Sequence, residues 1–285
     1  TGLHLHPTKS SLCVCACACV CTVIAVMAVC TGSELYETQQ MLDEYLTFHY
    51  ADPADLFPYD VAGPKDFLDF PRRCGEEVVV WAKKLGLDPC AGALDLGCAT
   101  GRSSFEMARY FDRVQGMDLS ASFISMCNAL KEEGRHPFRM RVQGDHYQEA
   151  EAVVDPAIDR SRTSFSVGDA CNLPEDLGTF SAALLANLIC RTPKPRAVLD
   201  RMVDCIVPGG LLILTTPFTW MEEYTPMPEW LGGMPGGMSS EDALKEYMAP
   251  HFELLEEKNF PHVIREHSRK YQFSLPLMTV WQRKK

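Results

Sequence analysis

Residues 94–101 read Leu-Asp-Leu-Gly-Cys-Ala-Thr-Gly, an apolar run that ends in a turn with glycine at positions 97 and 101. Glycine accepts positive φ and has no Cβ, so such a turn can bring the backbone close to a ligand, and a helix can begin directly behind it. Dinucleotide-binding enzymes place a third glycine here, where a helix N-terminus meets a pyrophosphate. This turn lacks that glycine and has Asp95 two residues before Gly97. The pattern suits S-adenosylmethionine, which has a ribose and an amino-acid tail but no phosphate, although taken alone it also fits a purely structural turn.

Polar residues follow the next predicted strands. Residues 113–118 form a short apolar run that ends on Asp118, whose carboxylate can accept both ribose hydroxyl protons. Residues 165–170 end on Asp169, where a side chain or a backbone amide could hold the adenine amino edge. Alone, either acid would be an ordinary loop acid or helix cap. With Asn187 after a fourth strand, their order along the chain favours a binding site. The predicted cofactor residues are Asp95, Gly97, Cys98, Ala99, Gly101, Asp118, Leu119, Asp169, Ala170 and Asn187.

Strands alternate with amphipathic helices along this part of the chain. Residues 182–189 and 208–215 predict the fourth and fifth strands, Ser120 is placed to cap one helix, and Pro195 is placed to open another. Such alternation is typical of a mostly parallel sheet covered on both faces, with ligands at the carboxyl ends of its strands. We therefore expect a class I methyltransferase Rossmann-like α/β fold, with a seven-stranded, mostly parallel sheet and an antiparallel C-terminal hairpin at residues 263–281.

Composition limits the function classes. The 285 residues are 46% hydrophobic and carry a formal net charge of −11. A chain of this length can bury one large α/β domain. A nucleic-acid substrate is disfavoured, because binding phosphates needs a clustered excess of Lys and Arg. A small-molecule or cationic substrate fits better.

The N-terminal segment differs from the rest. Residues 12–30 are uncharged and hold six of the thirteen cysteines in a low-complexity pattern. We expect residues 1–33 to be a disordered or artefactual extension, or alternatively a targeting or membrane-anchor segment, and residues 34–285 to be the folded domain. The other seven cysteines are scattered through apolar stretches, as in reduced proteins, which favours a cytoplasmic location for the folded domain.

Residues 36–50 predict a helix ahead of the first strand, capped by Thr38. Leu42, Tyr45, Leu46 and His49 share one face, which could lie across the mouth of the cofactor pocket or simply pack in the core. Arg72 and Arg73 precede a helix expected over residues 76–85 and could bind a substrate carboxylate or form a solvated surface pair.

Two long connections stand out. Residues 134–164 predict an excursion of the sheet or a surface flap. Residues 217–233 follow the fifth strand and contain Trp220, Glu222 and Glu223. Loops after such strands often determine specificity, aromatic faces attract cations, and a carboxylate can bind a substrate amine.

Several segments together resemble the C-terminal methyltransferase domain of the ovothiol-biosynthesis proteins. They are Tyr36-Glu-Thr, Glu44-Tyr-Leu-Thr-Phe-His-Tyr50, Phe70-Pro-Arg-Arg-Cys74, residues 94–106, residues 168–174, residues 186–189, Trp220-Met-Glu-Glu-Tyr-Thr-Pro226, residues 264–266 and residues 269–272. The resemblance runs from about residue 34 to the end. It implies transfer of a methyl group from S-adenosylmethionine to an imidazole nitrogen of 5-thiohistidine, also called 4-mercaptohistidine. The iron-dependent sulfoxide synthase that precedes this domain in fused family members is missing here, so a separate synthase is the expected functional partner.

The chemistry of this substrate predicts roles by residue type. A neutral imidazole nitrogen has a lone pair, so no general base is required, and the sequence shows no Cys/His cluster with metal spacing. Arg72, Arg73, Arg265 or Arg269 could bind the carboxylate, and Glu222 or Glu223 the amine. Residues that could shape the ring site are Tyr36, His49, Tyr50, Asn187 and Trp220. Two alternatives remain: another small methyl acceptor, or a non-catalytic cofactor-binding partner of a sulfoxide synthase, tethered to a membrane if the apolar segment is real.

Overall fold

The computed structural model describes residues 33–63 and 65–285. The helices are α1 (Gln39–Tyr50), α2 (Pro53–Leu56), α3 (Phe70–Leu85), α4 (Arg102–Met107), α5 (Ala121–Glu133), α6 (Pro195–Cys205) and α7 (Ser240–Met248). The strands are β1 (Ala93–Leu96), β2 (Val114–Asp118), β3 (Arg135–Gln143), β4 (His146–Val153), β5 (Thr163–Val167), β6 (Phe180–Ala186), β7 (Ile206–Thr216), β8 (Phe252–Asn259), β9 (His262–His267), β10 (Lys270–Ser274) and β11 (Leu277–Arg283).

The apolar segment at residues 12–30, with the targeting or anchor role expected of it, lies outside the described residues. Among the residues that the model does describe, no helix is both long and apolar enough to cross a membrane.

Seven strands form one sheet in the order β5-β2-β1-β6-β7-β11-β8. The five strands from β5 to β7 are parallel, and β11 is antiparallel to both of its neighbours. This is the class I methyltransferase architecture that the strand and helix pattern predicts. Because the parallel strands run the same way, the residues that follow β1, β2, β5 and β6 all emerge at one edge of the sheet.

Burial explains why the central strands are apolar. All four residues of β1 are buried, as are residues 180–185 of β6. One face of the sheet packs against α3, α4 and α5, through side chains such as Val78, Phe105 and Phe123. The other face packs against α6 and α7, through Val198 and Leu244. A strand covered on both faces has no polar side, which is why these runs lack the alternation of a half-exposed strand.

The helix caps follow the sequence signals. The Ser120 side chain accepts a hydrogen bond from the Phe123 amide at the start of α5, and Pro195 opens α6, as predicted. Thr38 likewise caps α1. The predicted start of α3 at Glu76 is wrong, because the helix begins at Phe70 with Pro71 in its first turn. The arginines at positions 72 and 73 therefore belong to the first turn of α3.

The C-terminal antiparallel pairing is present, but the strands predicted for it are partly wrong. The sheet is closed by β8 and β11, whereas residues 262–274 form a separate two-stranded ribbon, β9–β10. Strand β8 was not anticipated from the sequence. Residues 253–258 read Glu-Leu-Leu-Glu-Glu-Lys, which breaks the regular alternation of an edge strand.

Two ribbons and helix α1 form a cap on the domain. The long connection after α5 contains the antiparallel ribbon β3–β4. Arg265 on β9 donates hydrogen bonds to the carbonyls of Asp55 and Arg141, and the Ser268 amide donates to the Val142 carbonyl, which joins the two ribbons. Helix α1 packs against both ribbons and against α3. We call α1 and the ribbons β3–β4 and β9–β10 the cap.

Candidate cofactor and substrate site

The glycine turn, residues 97–101, lies at the carboxyl end of β1. Three of its residues have positive φ: Gly97 at 77°, Ala99 at 47° and Gly101 at 82°. A Cβ on Gly97 would stand 2.9 Å from the Leu188 side chain, and one on Gly101 would stand 3.0 Å from Cys127 Sγ. Both glycines are therefore required by backbone conformation and by close packing within the protein.

Asp95 lies beneath this turn and is fully buried. One carboxylate oxygen accepts hydrogen bonds from the hydroxyls of Ser103 (2.7 Å) and Ser104 (2.6 Å), whereas Oδ1 has no partner. Burial raises the pKa of Asp95 to about 6. The side chain thus joins β1 to the first turn of α4 and holds the glycine turn in place.

Asp118 ends β2 beside the glycine turn. Its two carboxylate oxygens accept hydrogen bonds from the backbone amides of Ala99 (2.9 Å) and Ser120 (3.0 Å). Burial raises the pKa of Asp118 above its usual value. A carboxylate can accept about four hydrogen bonds. Asp118 therefore retains acceptor capacity after these two bonds.

Apolar side chains flank Asp118 at the strand ends. Leu119, after β2, is 47% exposed, and Val167, at the end of β5, is 52% exposed. Ala170, farther along, is buried. Asp169 is exposed and accepts a hydrogen bond from the Cys171 amide, which closes a local turn. The strand ends thus present uncovered aliphatic surface beside a carboxylate.

Asn187 follows β6 in the left-handed region, with φ of 54°. Its backbone amide donates a hydrogen bond to the Thr215 carbonyl (2.9 Å), and its side-chain Oδ1 accepts one from the Thr215 hydroxyl (3.0 Å). These bonds join the ends of β6 and β7 and hold a conformation that is costly for a residue other than glycine.

The residues at this edge fit S-adenosylmethionine. Asp118 retains acceptor capacity for ribose hydroxyls, and Leu119 and Val167 offer apolar surface that a purine would cover. When bound, the cofactor supplies a methyl group activated by a positively charged sulfur.

Two predicted residues of α1, and Tyr36 in the turn before it, adjoin this edge. The Tyr50 hydroxyl donates to the Thr100 carbonyl in the glycine turn over 2.8 Å. His49 is buried, its Nδ1 has no partner, and burial lowers its pKa to about 3, so the ring is neutral. The Tyr36 ring packs against Tyr45 and against Phe123 on α5. Helix α1 therefore lies beside the glycine turn.

The four predicted arginines make other contacts. Arg72 forms ion pairs with Asp69 and Glu76 on α3, and Arg73 donates to the carbonyls of residues 67, 68 and 261. Arg265 joins the two ribbons, as described above. Arg269 is exposed, with its guanidinium 4.7 Å from the centroid of the Tyr59 ring. None of these contacts is with the glycine turn or the strand ends, and substrate binding by these residues stays a prediction.

Trp220, in the loop after β7, makes packing contacts within the protein. Its Nε1 donates to the Ser240 hydroxyl (2.9 Å), and its ring stacks on Trp230 with the centroids 6.4 Å apart. Glu222 and Glu223 are exposed, and within the described part of the chain they form no hydrogen bond or ion pair through their side chains. Their suggested contact with a substrate amine stays a prediction.

Sequence reasoning did not name Arg191 or Tyr224 among the site residues, and it placed Tyr45 only on the helix face that could cover the pocket mouth. The Arg191 guanidinium carbon lies 4.7 Å from the centroid of the Tyr224 ring. Tyr36 is close to both Tyr45 and Tyr224, and burial together with Tyr224 raises the pKa of Tyr36 to about 12. The position of Arg191 directly after the predicted fourth strand was the available signal.

A cavity of about 570 Å³ lies elsewhere, between α6, α7 and the start of β8, and its lining includes Leu199, Tyr247 and Phe252. It contains none of the residues at the glycine turn. Because ligands of this sheet type bind at the carboxyl ends of the strands, we assign the site to that edge and not to this cavity.

Comparisons with known proteins agree with the architecture. A family model described as "Methyltransferase domain" matches residues 94–214. Among solved structures, the [4+2]-cyclase SpnF is similar over 90% of this chain and 97% of its own, with 15% identity and a TM-score of 0.55. Magnesium protoporphyrin IX methyltransferase (ChlM) from Synechocystis PCC 6803, with bound SAM, is similar over 91% and 99%, with 13% identity and a TM-score of 0.53.

The N-methyltransferase NodS from Bradyrhizobium japonicum WM9, in complex with S-adenosyl-L-homocysteine, is similar over 87% of this chain and 100% of its own, with 14% identity and a TM-score of 0.50. No curated protein matches the chain significantly. Within the described ranges, no three His, Cys, Asp or Glu side chains are grouped so that they could hold a metal ion. Residues 94–214 thus match a methyltransferase domain, and with the carboxylate and glycine turn at the strand ends they support S-adenosylmethionine-dependent methyltransferase activity.

Proposed function

We propose that this methyltransferase transfers the methyl group to an imidazole nitrogen of 5-thiohistidine, the reaction that gives ovothiol. The substrate comes from the resemblance to the methyltransferase domain of ovothiol-biosynthesis proteins. One observation supports it most: three segments of that resemblance, two of them between residues 36 and 50 and the third after residue 220, come close together beside the end of β2. They contribute Tyr36, Tyr45 and Tyr224, which are close neighbours in space.

The side chains at this edge suit a neutral nucleophile. Methyl transfer to an imidazole nitrogen needs alignment of the nitrogen with the methyl carbon and exclusion of water, because the nitrogen already has a lone pair. The buried phenols of Tyr36 and Tyr45 have raised pKa values, so both remain protonated hydrogen-bond donors at neutral pH. His49 stays uncharged and does not add a cation next to the sulfonium.

Different residues of the chain have separate roles in this reaction. Asp118 would accept hydrogen bonds from the ribose hydroxyls of the cofactor, and Asp95 holds the glycine turn that shapes this part of the pocket. The hydrogen bond between Tyr50 and Thr100 ties α1 to the turn, so that the cap covers the reacting groups. Aromatic rings of the cap exclude water from the path between nucleophile and methyl carbon.

The proposal includes a partner and a location. The resemblance implies that an iron-dependent sulfoxide synthase would form the carbon–sulfur bond before this enzyme acts. The scattered cysteines of residues 34–285 favour a cytoplasmic location, and membrane attachment would depend on residues 12–30.

Incubation of the protein with S-adenosylmethionine and synthetic 5-thiohistidine tests this function. We expect a product one methyl group heavier, formed in equal amount with S-adenosylhomocysteine. Histidine and other small amines serve as competing acceptors. Efficient methylation of one of these, with none of thiohistidine, would contradict the proposed substrate. Cofactor binding without turnover of any acceptor would favour a non-catalytic partner.

A further inference from the structure

Arg191 lies just past the carboxyl end of β6, at the edge of the sheet assigned to the cofactor. It closes the short 3₁₀ turn Ile189–Arg191, which follows β6 directly after Asn187. Its Nη1 donates to the carbonyls of Cys190 (3.3 Å) and Thr219 (3.1 Å). These bonds fix the guanidinium between the end of β6 and the loop after β7.

The charge of this guanidinium is not balanced by the protein. No carboxylate among the described residues lies within 4.0 Å of Arg191, whereas Arg72 and Arg109 each contact two acids. Its Nε and Nη2 form no hydrogen bond in the described structure. Neither atom is among the buried polar atoms that lack a partner, so both are accessible to solvent. Two parallel N–H donors thus remain available on one side of the guanidinium.

The surroundings of Arg191 orient it toward the cofactor edge. Its guanidinium lies on the Tyr224 ring, with 4.7 Å between the guanidinium carbon and the ring centroid. Tyr45 is close enough to both Arg191 and Asp118 to feel their charges, and Tyr36 lies near Arg191 as well. Arg191 and Asp118 follow β6 and β2, so they lie at the same edge of the sheet, with Tyr45 near both.

A carboxylate is the ligand that best matches this arrangement. The side of a guanidinium that presents Nε and one Nη forms two parallel hydrogen bonds with a carboxylate. Stacking on Tyr224 holds the plane of the fork, which lowers the entropy cost of binding. In a chain with a net charge of −11, an unpaired cation at this point also provides local attraction for an anion.

We propose that Arg191, held by Tyr224, binds the carboxylate of the methyl-accepting substrate and thereby selects amino acids over their decarboxylated amines. This inference rests on the proposed function, because it places the carboxylate of an amino-acid acceptor beside the cofactor. Arg191 replaces Arg72, Arg73, Arg265 and Arg269 as our assignment for this contact. Tyr224 is a positioning residue that acts through Arg191.

The test compares two probes on the full-length protein saturated with S-adenosylhomocysteine. The probes are 5-thiohistidine and its decarboxylated amine, titrated by calorimetry. We expect the wild type to bind the amino acid more tightly than the amine. Arg191→Gln should lose roughly tenfold to hundredfold in affinity for the amino acid, the range for a hydrogen bond to a charged group, with little change for the amine. Arg191→Lys, which keeps the charge but not the fork, should fall between.

Matched variants control for indirect effects. Arg135→Gln removes an exposed arginine of the β3–β4 ribbon and should leave both affinities unchanged. Tyr224→Phe keeps the ring under the guanidinium and should retain the preference for the amino acid, whereas Tyr224→Ala should weaken it. A merely structural role of Arg191 would lower the affinities for both probes together.

Several results would overturn the inference. They are equal binding of the two probes by the wild type, binding of neither probe, and retention of the preference by Arg191→Gln. A parallel loss of affinity for S-adenosylhomocysteine in Arg191→Gln would assign Arg191 to the cofactor and contradict it as well. Turnover separates the two proposals: a wild type that prefers the carboxylate probe but fails to methylate thiohistidine contradicts the proposed function and supports the role of Arg191.

Discussion

The Tyr50 hydroxyl donates a hydrogen bond of 2.8 Å to the carbonyl of Thr100, so the end of helix α1 is attached to the glycine turn. The two residues are fifty positions apart in sequence, and no other side-chain hydrogen bond of the described structure links α1 to this turn. The bond couples the cap to the backbone that shapes the cofactor pocket.

Removing this hydroxyl should affect both stability and binding. Tyr50→Phe should lower the free energy of unfolding by about 1 kcal/mol, the typical net value of such a bond, and weaken cofactor binding. Tyr110→Phe is the matched control, since Tyr110 donates a similar bond to the Leu87 carbonyl away from the site. Urea unfolding and calorimetric titration with S-adenosylhomocysteine measure the two effects. Equal cofactor affinity in the two variants would show that the cap is not coupled to the pocket.

Asp118 should determine cofactor affinity. Asp118→Asn replaces a charged acceptor by an amide, and its NH₂ group would face the backbone amides of Ala99 and Ser120. We expect a loss of roughly tenfold to hundredfold in affinity for S-adenosylmethionine, with an unchanged far-ultraviolet circular dichroism spectrum. Asp60→Asn, at an exposed position, is the control. Unchanged affinity in the Asp118 variant would remove this residue from the site.

The strain of the left-handed backbone conformation at Asn187 should be measurable as a difference in the free energy of unfolding between two variants. Both Asn187→Gly and Asn187→Ala remove the side-chain bond to Thr215, but only glycine accepts φ of 54° without cost. The glycine variant should therefore be the more stable of the two by about 1 kcal/mol. Chemical denaturation of the pair gives this difference directly. Equal stabilities would mean that the backbone relaxes in the alanine variant.

Buried His262 should make the protein sensitive to acid. Burial lowers the pKa of His262 to about 4, whereas an unfolded histidine titrates near pH 6.5. Between these values the unfolded state binds more protons, so the contribution of His262 to stability is present above pH 6.5 and is lost as the pH falls.

His262→Gln should remove that contribution. Between pH 6 and pH 5 the stability of the wild type should fall more steeply than that of the variant, by about 1 kcal/mol per pH unit. Asp95, with a pKa raised to about 6, acts in the opposite direction in this window. It is present in both proteins, so the difference in slope isolates His262. Parallel pH profiles from urea unfolding would contradict the assignment.

Local pattern was sufficient for the parallel strands of the sheet and for part of the site. The apolar runs around Asp95, Asp118 and Asn187 predicted parallel strands because these strands are buried on both faces, and parallel strands bring their ends together. Thr38, Ser120 and Pro195 predicted helix starts because capping depends on neighbouring residues alone.

Contacts between side chains that are far apart in sequence could not be predicted from such patterns. Arg72 and Arg265 have the same charge. Arg72 forms ion pairs with acids at the start of its own helix, whereas Arg265 donates hydrogen bonds to carbonyls of α2 and β3. Which partner an arginine finds is decided by the tertiary fold. The same holds for Tyr45 and Tyr224, which meet near Tyr36 only because α1 and the loop after β7 converge.

The most direct test of the account is the fate of the methyl group. The full-length protein is incubated with 5-thiohistidine and S-adenosylmethionine that carries an isotopically labelled methyl, and the product is examined by nuclear magnetic resonance. The account predicts the label on an imidazole nitrogen, with loss of the signal in Asp118→Asn at limiting cofactor. Label on the sulfur or on the amine, or no transfer from a cofactor that binds, would contradict it.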